Sequence, residues 1–403
     1  MSAINEYCLE NNTVFSIEGK GLKLNTAEDV KLFCDTISRM DNLQKIILSG
    51  NTIGVEAGKA LAAALSTRKT LKVAILSDIF TGRLLSEIPA VLKALCDALE
   101  KTQLTELDLS DNAFGPAGAE PLIEFIAHSK TLQTLRLNNN GLGIGGGLMI
   151  ARALQASADQ ARLENRPSSL RTIICGRNRL ENGSSQALAN AFAAHATLET
   201  VRMPQNGIRP EGIEILMGGL VQCKNLRHLD LQDNTFTAKG SRALASALVE
   251  WPLLEVLNVG DCLLSKKGGL EVATSLNRGN NTGLTHLHLQ YNEIQANAIE
   301  VLAKAIRSHL KDLVHLELNG NRFDAEEKEL ETLVEALKEW DHEEALDELD
   351  DMEELDSDDE EEDDSEDELV EEAEKAEDSE PAVKGDDKKE EEDLVKKLEK
   401  THI

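Results

Sequence analysis

Few residues in this chain have the types and spacing that chemistry requires. His286 and His288 alternate within the segment LTHLHL, and side chains that alternate along a strand share one face. Two histidines on the concave face of a sheet could ligate a metal, but no third ligand is evident in the sequence. We therefore interpret them as an exposed polar pair and predict no metal site.

Motifs of a self-contained active site are also missing. The nearest string to a phosphate-binding loop, GVEAGKA from Gly54 to Ala60, lacks the spacing and the hydroxyl of G-x-x-x-x-G-K-[ST]. No H-E-x-x-H or G-x-S-x-G occurs. The six cysteines show no C-x-x-C pairing, which favours reduced thiols in a cytosolic protein. They are Cys8, Cys34, Cys96, Cys175, Cys223 and Cys262.

A repeated phrase, Leu-x-x-Leu-x-Leu-x-x-Asn-x-Leu, runs along most of the chain, as in LRHLDLQDNTF from Leu226 to Phe236. Its asparagine position, here called the ladder position, recurs mostly every 28 residues, with longer steps of 33 after Ile79 and 38 after Asn140. Repeats of this length hold one strand and one helix each. The ladder residues are Asn51, Ile79, Asn112, Asn140, Asn178, Asn206, Asn234, Cys262, Asn292 and Asn321.

The segment after each ladder residue is rich in Ala and Leu at helical spacing, as in 240–248. Such units bury their apolar faces only by stacking. We predict an α/β leucine-rich-repeat solenoid over residues 1–340, a horseshoe of the ribonuclease-inhibitor type with strands on the concave side. Cys262 replaces asparagine on the ladder as a small buried group.

The charge is concentrated at one end. Of the formal net charge of −31, residues 341–403 contribute 33 acidic side chains against seven lysines. A segment of this composition cannot bury enough apolar surface to order itself, so we predict a disordered acidic tail. Two functions of this tail are open. It serves only to keep the protein solvated, or it attracts a basic partner by its charge. Acidity argues against nucleic acid as a ligand.

The N-terminus lacks a basic and an apolar signal region, and no apolar run approaches membrane length. We therefore expect a soluble cytoplasmic protein without a membrane contact. We also expect a monomer.

The residue just before each ladder position is predicted to face outward at one edge of the horseshoe, whereas the ladder asparagine turns inward to satisfy backbone groups. In the run from Asn138 to Asn140, Asn140 is scaffold and Asn139 is free to touch a ligand. The predicted edge is a row of mostly polar groups that could span a partner: Gly50, Asp78, Asp111, Asn139, Arg177, Gln205, Asp233, Asp261, Tyr291 and Gly320.

The two long steps mark insertions, and loops that depart from a rigid repeat often carry function. The 33-residue step follows Ile79, and its altered loop presents Arg83 on the same edge as Asn139, about 10 Å away by the spacing of two strands. The 38-residue step contains the polar string ASADQARLENRPSS at 156–169, which we interpret as a tolerated surface extension.

Several strings in these repeats resemble the Ran GTPase-activating protein family, in its shorter fungal-type form. The resemblance spans about residues 15–355. The strings are SDIFTGR (77–83), LSDNAFGP (109–116), NNGLG (139–143), CGRNRLENG (175–183), QNGIRPEGI (205–213), LDLQDNTFT (229–237) and LDELDDMEEL (346–355).

The resemblance implies an enzyme activator that stimulates GTP hydrolysis by Ran in trans, in support of nucleocytoplasmic transport. GTP and Mg²⁺ would be held by the partner, so no cofactor is expected here. From the sequence alone, Arg83 could be assigned as an arginine finger, but the family is understood to work without one. The resemblance instead implies that Asn139 holds the catalytic glutamine of Ran and that Arg83 supports the productive complex. The expected partner is GTP-bound Ran, alone or with a Ran-binding protein.

Leu85 departs from the family pattern, which often has a basic residue there, and this removes one expected charged contact to Ran. Because the sequence stops at Ile403, as in the shorter fungal-type form, we expect it to lack the domain that tethers animal members to nuclear pores. A helix predicted at 327–340 caps the solenoid or serves as a nuclear-export signal. The alternative function is a non-catalytic leucine-rich-repeat scaffold or inhibitor that binds a partner on its concave face.

Overall fold

A computed structural model describes residues 7–9, 12–323 and 328–352. Its strands are β1 (Cys8–Leu9), β2 (Val14–Ser16), β3 (Lys23–Leu24), β4 (Lys45–Ile47), β5 (Thr52–Ile53), β6 (Val73–Ile75), β7 (Glu106–Asp108), β8 (Thr134–Arg136), β9 (Thr172–Ile174), β10 (Thr200–Arg202), β11 (His228–Asp230), β12 (Val256–Asn258), β13 (His286–His288) and β14 (His315–Glu317).

The helices are α1 (Lys31–Arg39), α2 (Val55–Leu65), α3 (Ile88–Leu99), α4 (Gly115–Ala119), α5 (Leu122–His128), α6 (Gly143–Leu163), α7 (Glu181–His195), α8 (Pro210–Leu220), α9 (Thr237–Leu248), α10 (Ser265–Leu276), α11 (Ala296–Ser308) and α12 (Lys328–Lys338). A 3-10 helix spans Glu343–Ala345. Within the described ranges, no helix is both long enough and apolar enough to cross a bilayer.

Twelve strands form one sheet in the order β1-β2-β4-β6 and then β7 to β14 in sequence, and β3 pairs with β5. All strand pairs after β1–β2 are parallel. In every three-residue strand from β4 onward, the middle residue points into the core, as Leu107 does with no exposed surface, and the first residue is half-buried. The third residue is half-buried in most of these strands as well. This alternation confirms the α/β solenoid, with the helices covering only one face of the sheet.

The helix layer is packed closely because small residues face the neighbouring helix. In α8, a Cβ added to Gly219 would overlap the backbone of Ala189 in α7. In α9, Leu244 and Leu248 lie one turn apart and are fully buried. Such i, i+4 pairs form one apolar stripe per helix. Each repeat therefore completes its core only with side chains from its neighbours.

The ladder residues hold the repeats together by hydrogen bonds. The buried amide of Asn140 donates from Nδ2 to the carbonyls of Leu109 and Leu137, both at 3.0 Å. Its Oδ1 accepts from the N–H of Asn112 at 3.0 Å, and its own N–H donates to Oδ1 of Asn178 at 3.0 Å. One side chain thus satisfies backbone groups of two repeats, as the sequence predicted.

Two ladder residues lack an amide oxygen, and both are fully buried. Ile79 still donates its N–H to Oδ1 of Asn112 at 2.8 Å, and Cys262 donates from Sγ to the carbonyls of Leu231 and Gly260 at 3.4 Å. Neither can accept from the ladder residue before it, so the chain of N–H to Oδ1 bonds is interrupted there. Burial raises the pKa of the Cys262 thiol, which keeps it protonated.

Cys34, Cys96, Cys175 and Cys223 are also free thiols. Cys96, Cys175 and Cys223 are buried, and Cys34 is half-buried. Burial raises the pKa of Cys96 and of Cys175 to about 12. These thiols therefore behave as small apolar core groups.

The two insertions differ in structure. The polar string at 156–169, predicted as a surface extension, instead lengthens α6, a helix of 21 residues that ends at Leu163. Ala158 and Ala161 are buried in this extension, so part of it belongs to the helix layer. The 33-residue step is accommodated by the loop between β6 and α3, which carries Arg83.

Ordered structure continues past the predicted domain boundary at residue 340. Leu346 bridges to Leu316 in β14, and the carboxylate of Asp347 accepts from the N–H groups of Leu318 and Asn319 at 2.9 and 3.1 Å. These contacts arise because β14 is the last strand of the sheet, and its outer edge needs hydrogen-bond partners. The predicted disordered tail otherwise lies outside the described residues, from 353 to 403.

The last helix, α12, covers the open end of the helix layer. Leu330, Leu333 and Leu337 are buried against α11 and the 3-10 helix. The indole Nε1 of Trp340 donates to the carbonyl of Ile306 at 3.2 Å. This is the capping arrangement predicted for 327–340, of which Glu327 lies outside the described residues. An export receptor would have to displace these leucines from the core.

We predict that Asn140→Ala lowers the free energy of unfolding by about 3 kcal/mol, because the N–H of Asn112 loses its acceptor in the core. The control is Asn139→Ala, one residue away. Asn139 is exposed but has φ +53°, and alanine in that conformation costs about 1 kcal/mol. Urea denaturation of both variants gives the comparison. Equal losses would contradict the assignment of separate roles to the two asparagines.

Candidate functional site

The candidate site is a row of side chains at the edge of the sheet where the parallel strands end. We call it the rim and define it as Asp78, Asp111, Asn139, Arg177, Gln205, Asp233, Asp261 and Tyr291. All eight have φ between +48° and +61°, and the flanking Gly50 and Gly320 have φ of +70° and +68°. This left-handed conformation is uncommon for residues with a Cβ. It directs each rim side chain away from the core while the next residue turns inward.

Backbone bonds hold the rim in register. The N–H of Asp111 donates to the carbonyl of Asn138, and the N–H of Asn139 donates to the carbonyl of Gly176, both at 2.9 Å. The N–H of Arg177 donates to Pro204 in the same way at 2.9 Å. Each rim residue is therefore tied to the following repeat, and the spacing of rim side chains follows that of the strands, about 4.8 Å.

Asn139 is exposed, and its amide has a defined orientation. Its Nδ2 donates to Oδ1 of Asp111 at 3.0 Å. An ionised carboxylate can only accept, so the NH₂ group of Asn139 must be the one that faces Asp111. Its Oδ1 is then turned away from Asp111 and can accept a hydrogen bond from a partner. The sequence identified Asn139 as a rim residue but did not reveal that Asp111 orients it.

Arg83 lies elsewhere than the sequence suggested. Its guanidinium turns back onto the repeats before it, where Nε donates to Oγ1 of Thr52 at 2.8 Å and Nη2 donates to the carbonyls of Thr52 and Leu24 at 2.9 and 3.2 Å. Gly54 leaves room for it, since a Cβ there would lie 2.9 Å from Nη1. The guanidinium thus sits over the repeat of β4, three strands from β8, or about 14 Å by strand spacing. The loop begins two strands from Asn139, but the side chain points away from it.

The loop around Arg83 also exposes two apolar side chains. Leu84 and Leu85 are 69% and 66% exposed. The N–H of Leu84 donates to the Glu87 carboxylate at 3.0 Å just before α3 begins, and Thr81 donates its hydroxyl to the carboxylate of Asp78. These bonds define the loop and leave Leu84 and Leu85 facing solvent beside the rim. In the sequence, Leu85 stands out only as a departure from a family pattern, and Leu84 does not stand out at all.

The electrostatic character of the rim changes along its length. Asp111, Asn139, Arg177, Gln205 and Asp261 are exposed, and Asp233, which lies between the last two, is half-buried. From Asp111 onward the rim therefore runs acid, amide, cation, amide, acid and acid. Partial burial and the nearby charge of Asp261 raise the pKa of Asp233, against a hydrogen bond from Gln205 that lowers it.

The C-terminal end of the rim is partly occupied by the chain itself. The hydroxyl of Tyr291 donates to Oδ2 of Asp351 at 3.0 Å, and the N–H of Asp351 donates to Oδ1 of Asn319 at 2.9 Å. The segment that leads into the acidic tail therefore starts at the rim. A partner on this edge could contact Asp111 and Asn139 without displacing this segment. Tyr291, in contrast, is already hydrogen-bonded to Asp351.

The histidines on the concave face have more polar neighbours than the sequence predicted. The expectation that no third ligand accompanies His286 and His288 is wrong, because His315 and Glu317 lie beside them on β14. Both residues stand 29 positions after their counterparts, so an alignment of successive repeats would have found them. Burial raises the pKa of Glu317, but hydrogen bonds from His288 and His315 lower it, and the net shift is downward.

We predict that Arg83→Ala increases local opening of the segment around Gly54 without global unfolding. The N–H of Gly54 donates to the carbonyl of Leu24 at 2.7 Å, which also accepts from Arg83. Loss of the guanidinium bonds should cost about 1 to 2 kcal/mol locally, or roughly tenfold faster exchange of this amide. Hydrogen-exchange mass spectrometry measures it. Leu84→Ala, an exposed change in the same loop, is the control, and equal effects of both changes would count against an anchoring role for Arg83.

Comparisons with known proteins agree with the repeat architecture. A leucine-rich-repeat family model matches residues 41–62, 101–122, 128–151, 222–245 and 280–303. The ribonuclease inhibitor of Sus scrofa is 27% identical over 237 residues, which cover 58% of this chain and 49% of that protein.

Two relatives are more similar. Ran GTPase-activating protein 1 of Xenopus laevis is 49% identical over 197 residues, which cover 48% of this chain but only 34% of that protein. Ran GTPase-activating protein 1 of Saccharomyces cerevisiae is 41% identical over 334 residues, which cover 80% of this chain and 82% of that protein. With such identity over most of both chains, this protein belongs to the Ran GTPase-activating protein family.

Proposed function

We propose that this chain stimulates GTP hydrolysis by the small GTPase Ran, acting in trans as an activator. The 41% sequence identity to the Saccharomyces cerevisiae Ran GTPase-activating protein 1 over 80% of this chain supports this function. The observation that carries the mechanism is the oriented amide of Asn139, exposed on the rim and bonded to Asp111. GTP and Mg²⁺ are supplied by Ran, and this chain contributes only its own side chains.

Asn139 acts on the catalytic glutamine of Ran. Its Oδ1 accepts a hydrogen bond from the side-chain NH₂ of that glutamine, which leaves the glutamine carbonyl to accept from the attacking water. Small GTPases use a glutamine to orient this water. A mobile side chain that is ordered before the reaction no longer has to lose that freedom in the transition state. The activator therefore accelerates hydrolysis by positioning a group that Ran already has.

Arg83 contributes indirectly in this proposal. An arginine finger must reach the transferring phosphate, whereas the guanidinium of Arg83 is held by Thr52 and the carbonyl of Leu24. It anchors the loop that carries Leu84 and Leu85, and this loop forms part of the surface that meets Ran. Loss of Arg83 then weakens the productive complex more than the hydrolysis step.

The partner is GTP-bound Ran, alone or with a Ran-binding protein, and the activator works as a cytoplasmic monomer. The rim residues Asp78, Arg177, Gln205, Asp233 and Asp261 are the further contacts proposed for Ran. The alternative function, a passive scaffold that binds through its concave face, makes no use of Asn139 on the edge. Substitution at Asn139 therefore separates the two functions.

We predict that Asn139→Ala lowers the maximal rate of Ran-bound GTP hydrolysis by about 10²- to 10³-fold, the range for removal of one preorganised catalytic hydrogen bond. The half-saturating concentration should change little. Single-turnover hydrolysis with a titration of activator separates the two quantities.

The matched control is Asp261→Ala. Asp261 has the same φ as Asn139, +53°, so alanine imposes the same backbone cost at a rim position four strands away. The maximal rate of Asp261→Ala should stay within about threefold of wild type, because loss of a contact that only binds Ran changes the half-saturating concentration instead. A wild-type maximal rate for Asn139→Ala would remove this residue from the mechanism and favour the scaffold.

We also predict that Asp111→Ala lowers the maximal rate by about three- to tenfold, because the Asn139 amide loses the acceptor that orients it. The test is a double-mutant cycle. If Asp111 acts through Asn139, Asp111→Ala has no further effect on the rate in an Asn139→Ala background. Asp111→Asn, which keeps a side-chain oxygen acceptor, should retain more activity than Asp111→Ala. Additive losses in the cycle would show that Asp111 acts independently.

A further inference from the structure

Four polar side chains form a compact group on the concave face near the C-terminal end of the sheet. In the register of β13 and β14, His286 pairs with His315 and His288 pairs with Glu317. Residues two apart on a strand share a face, and paired residues on parallel neighbours lie side by side. The four side chains therefore occupy the corners of a two-by-two array that the backbone alone determines.

Three members of this array bring their ligand atoms together. Nδ1 of His288 lies 3.0 Å from Oε2 of Glu317, and Nε2 of His315 lies 2.7 Å from Oε1 of the same carboxylate. One ligand atom from each residue falls within 4.8 Å of the other two. In a tetrahedral zinc site with bonds of about 2.0 Å, ligand atoms are about 3.3 Å apart. Small side-chain rotations would open the group to that size.

The supporting backbone is rigid. Leu287 and Leu316, the middle residues of the two strands, have no exposed surface. The carbonyl of Glu317 accepts from the N–H of Leu289 at 2.9 Å, and the carbonyl of His288 accepts from the N–H of Val259 at 3.1 Å. The backbone therefore already holds the three ligand residues next to one another. Metal binding would cost little free energy for ordering them.

The group is neither sealed nor fully solvated. The side chains of His288, His315 and Glu317 are 18%, 41% and 27% exposed. An ion can reach them from the concave side, and a fourth coordination position can face the same way. His286 stands next to this opening, with its ring centroid 5.5 Å from that of His315. Its Nδ1 is 2.9 Å from Oγ1 of Thr285.

The proposed activation of Ran does not use these residues. Asn139 follows β8, and five strand spacings, about 24 Å, separate β8 from β13. The array faces the hollow of the horseshoe, whereas Asn139 stands on its edge. Its chemistry is therefore independent of the rim.

We propose that His288, His315 and Glu317 form a binding site for a divalent metal ion of the zinc class, with Zn²⁺ as the best match. Two imidazole nitrogens and one carboxylate oxygen are a ligand set that zinc accepts. The fourth position is open to water or to a side chain of a molecule bound in the concave face. The site joins the last two strands of the sheet through side chains, so metal binding stabilises the C-terminal end of the solenoid.

The test is a zinc titration of the full-length chain against a chromophoric chelator, together with Co²⁺ substitution. Wild type is expected to bind one Zn²⁺ tightly, and Co²⁺ should give the intense visible bands of a tetrahedral site with nitrogen ligands. Glu317→Gln and His288→Asn should each weaken the affinity by at least 100-fold and abolish those bands. Loss of a second-shell group alone costs 10- to 100-fold.

The matched control is His128→Asn. His128 pairs with Glu124 on α5 through Nδ1 and Oε2 at 3.2 Å, a histidine–carboxylate pair that is not part of the three-residue group. Its affinity and its Co²⁺ spectrum should equal those of wild type. This control also accounts for weak binding by the many acidic side chains, which supply only oxygen ligands.

Thermal unfolding of the metal-free variants checks the fold, and His315→Asn replaces any variant that unfolds. Zinc should raise the unfolding temperature of wild type and leave that of Glu317→Gln unchanged, as expected for a ligand that binds only the folded state. Equal zinc affinity in wild type and Glu317→Gln would overturn the proposal. A wild-type Co²⁺ spectrum typical of octahedral oxygen ligation would do the same.

Discussion

The structure depends on one buried hydrogen-bond arrangement, the ladder asparagine at the bend after each strand. There the chain must turn from the sheet toward the helix layer, and its backbone groups lose access to water. A single amide satisfies carbonyls on two successive repeats and one N–H of the preceding repeat, as Asn140 does. A buried backbone group without a partner would cost about 1 to 3 kcal/mol. Each repeat is therefore hydrogen-bonded to the next at the same position, the bend after its strand.

The rim follows from that arrangement. Because the ladder residue must point inward, the residue before it takes a left-handed conformation, and its side chain turns outward. The difference between Asn139 and Asn140 is thus one of position rather than chemistry: identical amides serve a partner in one case and the scaffold in the other. The bond between Asn139 and Asp111 shows a further consequence, since side chains 28 residues apart become neighbours and one determines which atom of the other faces a partner. An activator that has no nucleotide of its own needs only this kind of rigidly presented group.

Much of the fold could be predicted from the sequence, and the departures have physical causes. The strand and helix of each repeat, the inward leucines and the outward rim all follow from hydrophobic period and repeat length. The polar string at 156–169 was misjudged because its polar composition is typical of a loop, although Ala158 and Ala161 stand three residues apart, at the spacing of one helix face. The boundary at residue 340 was placed by charge, but the carboxylate of Asp347 caps the exposed edge of β14. Charge composition does not reveal such a specific role.

The sequence by itself determined the solenoid, its membership in a family, and the position of Asn139 at an outward-facing site, because these depend on a repeat period that local propensities enforce. The tertiary structure decided which side chains from different repeats meet and how they are turned. Arg83 reaches Leu24, 59 residues earlier, and the side-chain rotamers of His288 and Glu317, which pair on adjacent strands, bring Nδ1 to 3.0 Å from Oε2. Such contacts depend on side-chain rotamers and on the space left by neighbours, as at Gly54, and a one-dimensional pattern carries no information about either.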